Sequence, residues 1–364
     1  MKRLMRRWLP SVLLILVATC LLSLPAITSA RTSLSSLSFG SEEVLRSCWS
    51  AEELQGKPQD KIIVFERDLL PLTPKLNALL KDLCPSKPAP AGSIRRVIPT
   101  GNQKVIALTF DLCERADEIT GYDYEIVNYL RAHEIRATFF AGGKWMQSHP
   151  DKAMQLMADP LFEIGNHTWS HANLRVMGKD EGLAQILLTQ AQYRELRRKL
   201  AFWPCARQAG MQELAKIPAI PQCFRFPYGT CSAEALQILK SLNLPAIQWD
   251  IVTDDSEKDQ TAEKIAGIVL THARPGSIIV CHANARGHHT AEALPLFVPE
   301  LQRRGYTFVT ISELLTCGPV YAVSECYELT RGDNKRYDKL FGKGTERPKK
   351  QVGLRLHHDA FGEN

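Results

Sequence analysis

Two histidines four residues apart, His167 and His171, close an apolar run in the stretch Gly165-Asn166-His167-Thr168-Trp169-Ser170-His171. Neutral imidazole nitrogens at that spacing can hold zinc or a related divalent ion and leave positions open for a carboxylate, water and substrate. Taken alone, the pair also reads as two surface histidines beside a turn. Three further polar clusters follow other apolar runs: Thr109-Phe110-Asp111, Arg225-Phe226-Pro227-Tyr228-Gly229 and Cys281-His282. A carboxylate at Asp111 can take a proton from water whose pKa a neighbouring cation has lowered. The Arg225 guanidinium can orient that carboxylate and keep it ionised, while Pro227 and Gly229 impose a turn able to aim the Tyr228 backbone N–H at an oxyanion. His282 has the chemistry of a general acid that protonates a leaving amine or alcohol. A helix-capping aspartate, a surface ion pair and a histidine satisfied by backbone are the ordinary alternatives; the four clusters together favour an active site. Asp250 and Asp255 are candidates to support an imidazolium at His282. His288 and His289 belong to the start of the next helix and carry no assigned chemistry.

These residues need rigid elements to bring them together. Beyond about residue 101, short apolar runs alternate with amphipathic ones, the mark of a parallel α/β fold. The pattern predicts strands over 105–112, 137–141, 162–166, 223–226, 246–251, 277–281 and 307–310. Helices are predicted over 124–133, 151–157, 181–200, 233–242, 261–271 and 291–304, several opened by Ser, Thr or Asp caps. Seven strand–helix units are enough to close a distorted (β/α) barrel, although an open doubly wound sheet gives the same rhythm. Every polar cluster falls at the carboxyl end of a strand, the rim on which sites assemble in both architectures. Segment 201–221, rich in proline, reads as an inserted loop.

The flanks are less regular. Residues 1–30 read as an export signal, with Lys2, Arg3, Arg6 and Arg7 ahead of an apolar run and small residues at Ser29 and Ala30. A retained membrane anchor is the competing reading, and a lipid-modified Cys20 a weaker one. Residues 31–101 read as a small N-terminal appendage, with helix-like runs near 42–54 and 74–83, and a Pro-rich linker. Residues 102–315 form the main domain; 316–364 have no clear period and read as a C-terminal tail with a mobile basic end. At 364 residues and 45% hydrophobic composition the chain can bury one large core and carry these extras. Its formal charge of +6, drawn partly from the two ends, does not argue for nucleic acid. Nine cysteines follow the signal, an odd number; in an oxidising compartment several pair, with Cys317–Cys326 and Cys48–Cys84 as local candidates.

With these motifs in this order, the chain resembles the NodB-type polysaccharide deacetylases, carbohydrate esterase family four, over about 101–315. The resemblance implies a distorted (β/α) barrel of about seven strands, a divalent metal ion, zinc by preference, and hydrolysis of N-acetyl or O-acetyl groups on sugars. Carried over, Asp111 is the base, His167 and His171 are metal ligands, Arg225 orients Asp111, Tyr228 gives its backbone N–H to the oxyanion hole, and His282 is the acid. Two departures stand out. The family's second aspartate, which completes the metal triad, is replaced by Leu112; Glu114 is the first candidate for the third ligand and Cys113 the second. The acidic residue that usually precedes a tryptophan in the fourth motif falls near Val252, which makes Asp250 the first candidate partner of His282, ahead of Asp255.

The expectation is therefore an exported enzyme, periplasmic or secreted, that removes acetyl groups from an acetylated polysaccharide or its fragments, an N-acetylhexosamine polymer in preference to an O-acetyl ester. Nucleic acid is not expected as a partner, nor a stable membrane span after signal cleavage. A metal-dependent amidase acting on a small non-sugar amide and a catalytically impaired polysaccharide-binding homologue are the alternatives, the second kept open by Leu112.

Overall fold

The computed structural model describes residues 39–65 and 83–346. The expected export signal, most of the run at 74–83 and the basic end past 346 lie outside the described residues. Nine strands occur among the described residues: β1 (Ser93–Val97), β2 (Val105–Leu112), β3 (Ala137–Ala141), β4 (Phe162–Asn166), β5 (Ala246–Ile247), β6 (Ile251–Val252), β7 (Ile278–His282), β8 (Thr307–Phe308) and β9 (Val320–Val323). Strands β4-β3-β2-β7-β6 form a parallel sheet in that order, with β8 parallel to the start of β2. Three of the strands have the bounds that periodicity predicts, because runs buried on both faces are continuous in hydrophobicity and end where the polar rim begins.

The ring closes irregularly. Phe224 bridges Asn166 of β4 on one side and Ala246 of β5 on the other. β5 then pairs with β1, and Arg96 of β1 bridges Ser277, the residue before β7. The fold is thus a distorted α/β barrel in which segment 223–226 contributes a single bridging residue in place of the expected strand. β1 arises inside the Pro-rich passage read as a linker. Its partner β9 lies in the expected C-terminal tail, and the two run antiparallel. Neither was legible, since Ser93-Ile-Arg-Arg-Val97 and Val320-Tyr-Ala-Val323 are short and only partly apolar.

Helices Tyr124–Ala132, Pro150–Ala158, Lys179–Phe202, Ala233–Ser241, Ala262–His272 and Thr290–Arg303 match the expected amphipathic segments. At the centre of the core Phe110 stacks on Phe139, and Phe139 meets Phe162 edge to face, across adjacent strands. None of the helices among the described residues is long and apolar enough to cross a membrane.

The flanking segments are stitched to the barrel. Segment 201–221 contains two short helices, Pro204–Ala209 and Met211–Ala215, in place of a bare loop. The first is tied to helix Glu42–Cys48 by a Cys48–Cys205 disulfide, with Trp49 tilted against Trp203. A second disulfide joins Cys231 to Cys326. Both proposed local pairings are thereby corrected: each bond spans elements distant in sequence, 157 and 95 residues apart, which nearness along the chain cannot reveal. Residues 316–346 are a built element. It runs from β9 through the Cys231–Cys326 bond to helix Arg336–Phe341, where Asp338 accepts bonds from Arg175 and Asn173. Removing the bond as Cys231→Ala with Cys326→Ala should cost about 2–5 kcal/mol of stability. Urea unfolding checks the size; limited proteolysis should cut first between 320 and 346. An unchanged midpoint and cleavage pattern would contradict this anchoring role.

Candidate active site

The parallel register of β2 and β7 places Asp111 directly beside His282. Registered neighbours in a sheet point to the same face, so the candidate base and acid stand side by side on the rim without help from any loop. β4 ends at Asn166, whose carbonyl accepts the Arg225 N–H, and this brings His167 and Arg225 onto the same rim. Thus four polar clusters far apart in sequence converge.

Arg225 is fully buried, and its Nη1 donates to Asp111 Oδ1 at 2.8 Å. Its guanidinium lies over the Phe140 ring, 4.1 Å from the centroid. Buried cation and carboxylate neutralise one another, and each fixes the other's orientation. The other carboxylate oxygen, Oδ2, lies 3.7 Å from His167 Nε2.

Loop 167–171 is held by a dense set of bonds. Asn166 Oδ1 accepts the Thr168 N–H, Thr168 Oγ1 accepts the Ala172 N–H, and Gln185 Oε1 accepts the Ser170 N–H. Thr168 and His171 both take left-handed backbone conformations, with φ of 64° and 56°. Non-glycine residues in that region are uncommon and cluster where a site re-aims side chains. The result brings the two imidazole rings to 5.1 Å between centroids. His167 Nδ1 lies 3.0 Å from the Arg225 carbonyl oxygen, so a proton on Nδ1 is donated there and the Nε2 lone pair is left facing the site.

Cys113 Sγ stands 3.4 Å from His167 Nε2. Donor atoms of Cys113, His167 and His171 lie within 4.8 Å of one another, and so do those of Asp111, Cys113 and His282. Two imidazoles and a thiol are a donor set that suits zinc. Burial opposes ionisation of the Cys113 thiol, but the rings of His171 and His167 outweigh it and hold its pKa well below the ordinary thiol value. For His167 the same balance runs upward: burial lowers it, while Asp111 and Cys113 together raise it above 6.5. His171, with burial dominant, is lowered.

Glu114, the first candidate for a third ligand, is corrected by its surroundings. Its carboxylate is fully buried and engaged by Lys144 Nζ at 3.0 Å, by the Thr120 N–H at 2.9 Å and by Ser148 Oγ. Successive residues of an extended chain point to opposite sides, so Glu114 shares a side with Leu112, and Cys113 one with Asp111.

Asp250 is corrected as well. It accepts the Ile278 N–H and the Ser277 hydroxyl and pairs with Arg274, all at the start of β7, roughly 13 Å from His282 at a rise of about 3.3 Å per residue. Asp255 occupies the expected place. Its Oδ1 is 2.8 Å from His282 Nδ1, and its Oδ2 accepts the His282 N–H at 2.7 Å and the Thr290 hydroxyl. The deciding feature is register, which the sequence does not show: β6 pairs Val252 with Val280, which carries the chain past residue 252 toward the level of His282. Burial lowers the His282 pKa, yet Asp255 reverses this and holds it well above 6.5.

Tyr228 sits in the Pro-Tyr-Gly turn with φ 57° and ψ 11°. Its ring meets His171 edge-on at 4.4 Å and stacks on Phe341 at 4.7 Å, and its hydroxyl donates to the Gly344 carbonyl. A Cβ at Gly344, where φ is +73°, would lie 2.5 Å from this ring, so only glycine lets the C-terminal segment pass so close. The C-terminal packing against Tyr228 had no counterpart in the sequence pattern.

Residues 99–247 match the family described as polysaccharide deacetylase. Over 219 residues the chain is 31% identical to a peptidoglycan-N-acetylglucosamine deacetylase of Bacillus cereus, an alignment covering 58% of this chain and 69% of that protein. The chain belongs to the polysaccharide deacetylase family. The fold of this deacetylase also resembles two crystal structures. One is a peptidoglycan N-acetylglucosamine deacetylase in complex with an N-oxidanyl-benzamide, with a TM-score of 0.51, 26% identity, and 63% of this chain and 95% of the other covered. The second is a mutant of a CE4 family pseudoenzyme from Bacillus anthracis with restored enzymatic activity, with a TM-score of 0.50, 26% identity, and coverage of 62% and 72%.

Proposed function

We propose that this deacetylase is exported and hydrolyses N-acetyl groups on an N-acetylhexosamine polymer or its fragments by metal-assisted acid–base catalysis. The observation that carries this reading is the pairing of two dyads in adjacent register, Asp111 with Arg225 and His282 with Asp255, beside the His167–His171 pair. His167 and His171 would hold a divalent ion, whose chemistry is Lewis acidity toward the acetyl carbonyl and toward water.

Asp111, oriented by Arg225, takes a proton from the attacking water as its oxygen bonds to the acetyl carbon. The Tyr228 N–H, presented by the left-handed turn, donates to the oxyanion. His282, held protonated by Asp255, gives its proton to the sugar nitrogen as the C–N bond breaks. The products are acetate and a free amine, and proton exchange with solvent returns Asp111 to its carboxylate and His282 to its imidazolium.

The export reading is supported by the basic and apolar leader pattern and by two disulfides, which form in oxidising compartments. Leu112 favours a second reading, a polysaccharide-binding homologue of reduced competence. Acetate release from chitin oligomers, peptidoglycan and acetylated xylan, with and without chelator, separates them. We expect release from one of the two N-acetylated substrates and its loss with chelator. Release only from xylan would move the reaction to esters, release only from a small non-sugar amide would make the protein an amidase, and binding without release would favour the second reading.

A further inference from the structure

The geometry points to Cys113 as the third protein ligand of the metal site, so that His167, His171 and the Cys113 sulfur form a centre for a thiophilic divalent cation, zinc before magnesium or manganese. The inference rests on the metal-assisted reading above and deepens it. Leu112, which follows the base in sequence, is fully buried in the hydrophobic core and has no donor atom. One residue later the chain turns back to the rim. There Cys113, 7% exposed, meets both histidines.

The spacing suits a tetrahedral ion. With Zn–S near 2.3 Å and Zn–N near 2.0–2.1 Å, the sulfur–nitrogen edge of a tetrahedron is about 3.5 Å; the Cys113 Sγ to His167 Nε2 distance is 3.4 Å. His167 is already oriented for the task by the Arg225 carbonyl at its other nitrogen, as metal-bound histidines commonly are. The rival donor group, Asp111 with Cys113 and His282, is less free: Asp111 Oδ1 accepts from Arg225 and His282 is committed to Asp255. Thiolate with two imidazoles selects a borderline-soft ion, whereas the all-oxygen preference of magnesium is unmet.

Cobalt(II) reports on sulfur ligation independently of turnover. Full-length protein, stripped by chelator and titrated with cobalt, should show an intense near-ultraviolet sulfur-to-cobalt band. Cys113→Ala should abolish the band and weaken zinc binding by more than the roughly 10–100-fold that loss of an outer partner causes. Cys113→Asp should bind zinc without the band in cobalt, which guards against misfolding of the alanine variant. Asp111→Asn and His282→Ala should keep the band; its loss in both would shift the ion to the rival group and overturn the His167–His171–Cys113 assignment. Cobalt bound without a sulfur band, or unchanged zinc affinity in Cys113→Ala, overturns the Cys113 assignment alone if chelator still stops acetate release. No metal uptake by the unaltered protein overturns both this assignment and the metal-assisted reading.

Discussion

Replacing Asp111 by asparagine lowers acetate release by about 10²–10⁴-fold while the protein still folds, the range expected when a positioned base is removed. Asparagine keeps an oxygen for Arg225 Nη1, whose bond to Asp111 is 2.8 Å long; among the described residues the guanidinium also donates to the Ile247 and Gln248 carbonyls, at 3.4 Å. Asp111→Ala removes that acceptor and leaves a fully buried guanidinium without its anion, at a cost of about 3–5 kcal/mol. The two variants therefore separate chemistry from folding. Both lose turnover, but only alanine shifts the urea midpoint strongly. Near-normal kcat in Asp111→Asn would remove it from the role of base.

Asp255→Asn should move the alkaline limb of the pH–rate profile to lower pH. His282 works as the protonated form, and activity is lost as it deprotonates. Burial pulls its pKa down, but the Asp255 carboxylate at 2.8 Å holds it well above 6.5. Without that charge the limb falls back toward the ordinary imidazole range or below, while the acid limb stays in place. The same pair stabilises the fold, with a definite sign. The folded pKa of His282 is raised, so its contribution is complete below the unfolded value of about 6.5 and is lost as pH rises through the folded value. The stability gap between the native protein and Asp255→Asn is accordingly widest in mild acid and narrows upward. His282→Ala lowers turnover by about 10²–10⁴-fold at every pH. An alkaline limb that does not move in Asp255→Asn would assign that limb to another group.

Much of this was readable before any coordinates. Strands 105–112, 137–141 and 162–166 are apolar on both faces, and a run of that kind with a polar residue at its end has few other homes than a parallel sheet with a functional rim. Asp111, His167, His171, Arg225 and His282 stand out in the sequence as candidates for the same reason. Residues whose role depends on crossing from one element to another are not legible in this way. Asp250 precedes β6 and Asp255 follows it, and only the pairing of β6 with β7 tells which end faces His282. Glu114 has the better reach on paper, yet Lys144 claims its charge.

The amino-acid order by itself determined the alternation of elements, the rim on which the polar clusters sit and the chemical types gathered there, because hydrophobic periodicity and strand ends are local properties. Tertiary structure alone decided which carboxylate serves His282, which donor faces the two histidines, which cysteines join, and that residues 320–346 pack against Tyr228. Those choices depend on distances between segments separated by tens to hundreds of residues, and on competition among buried charges for a single partner, neither of which any local pattern encodes.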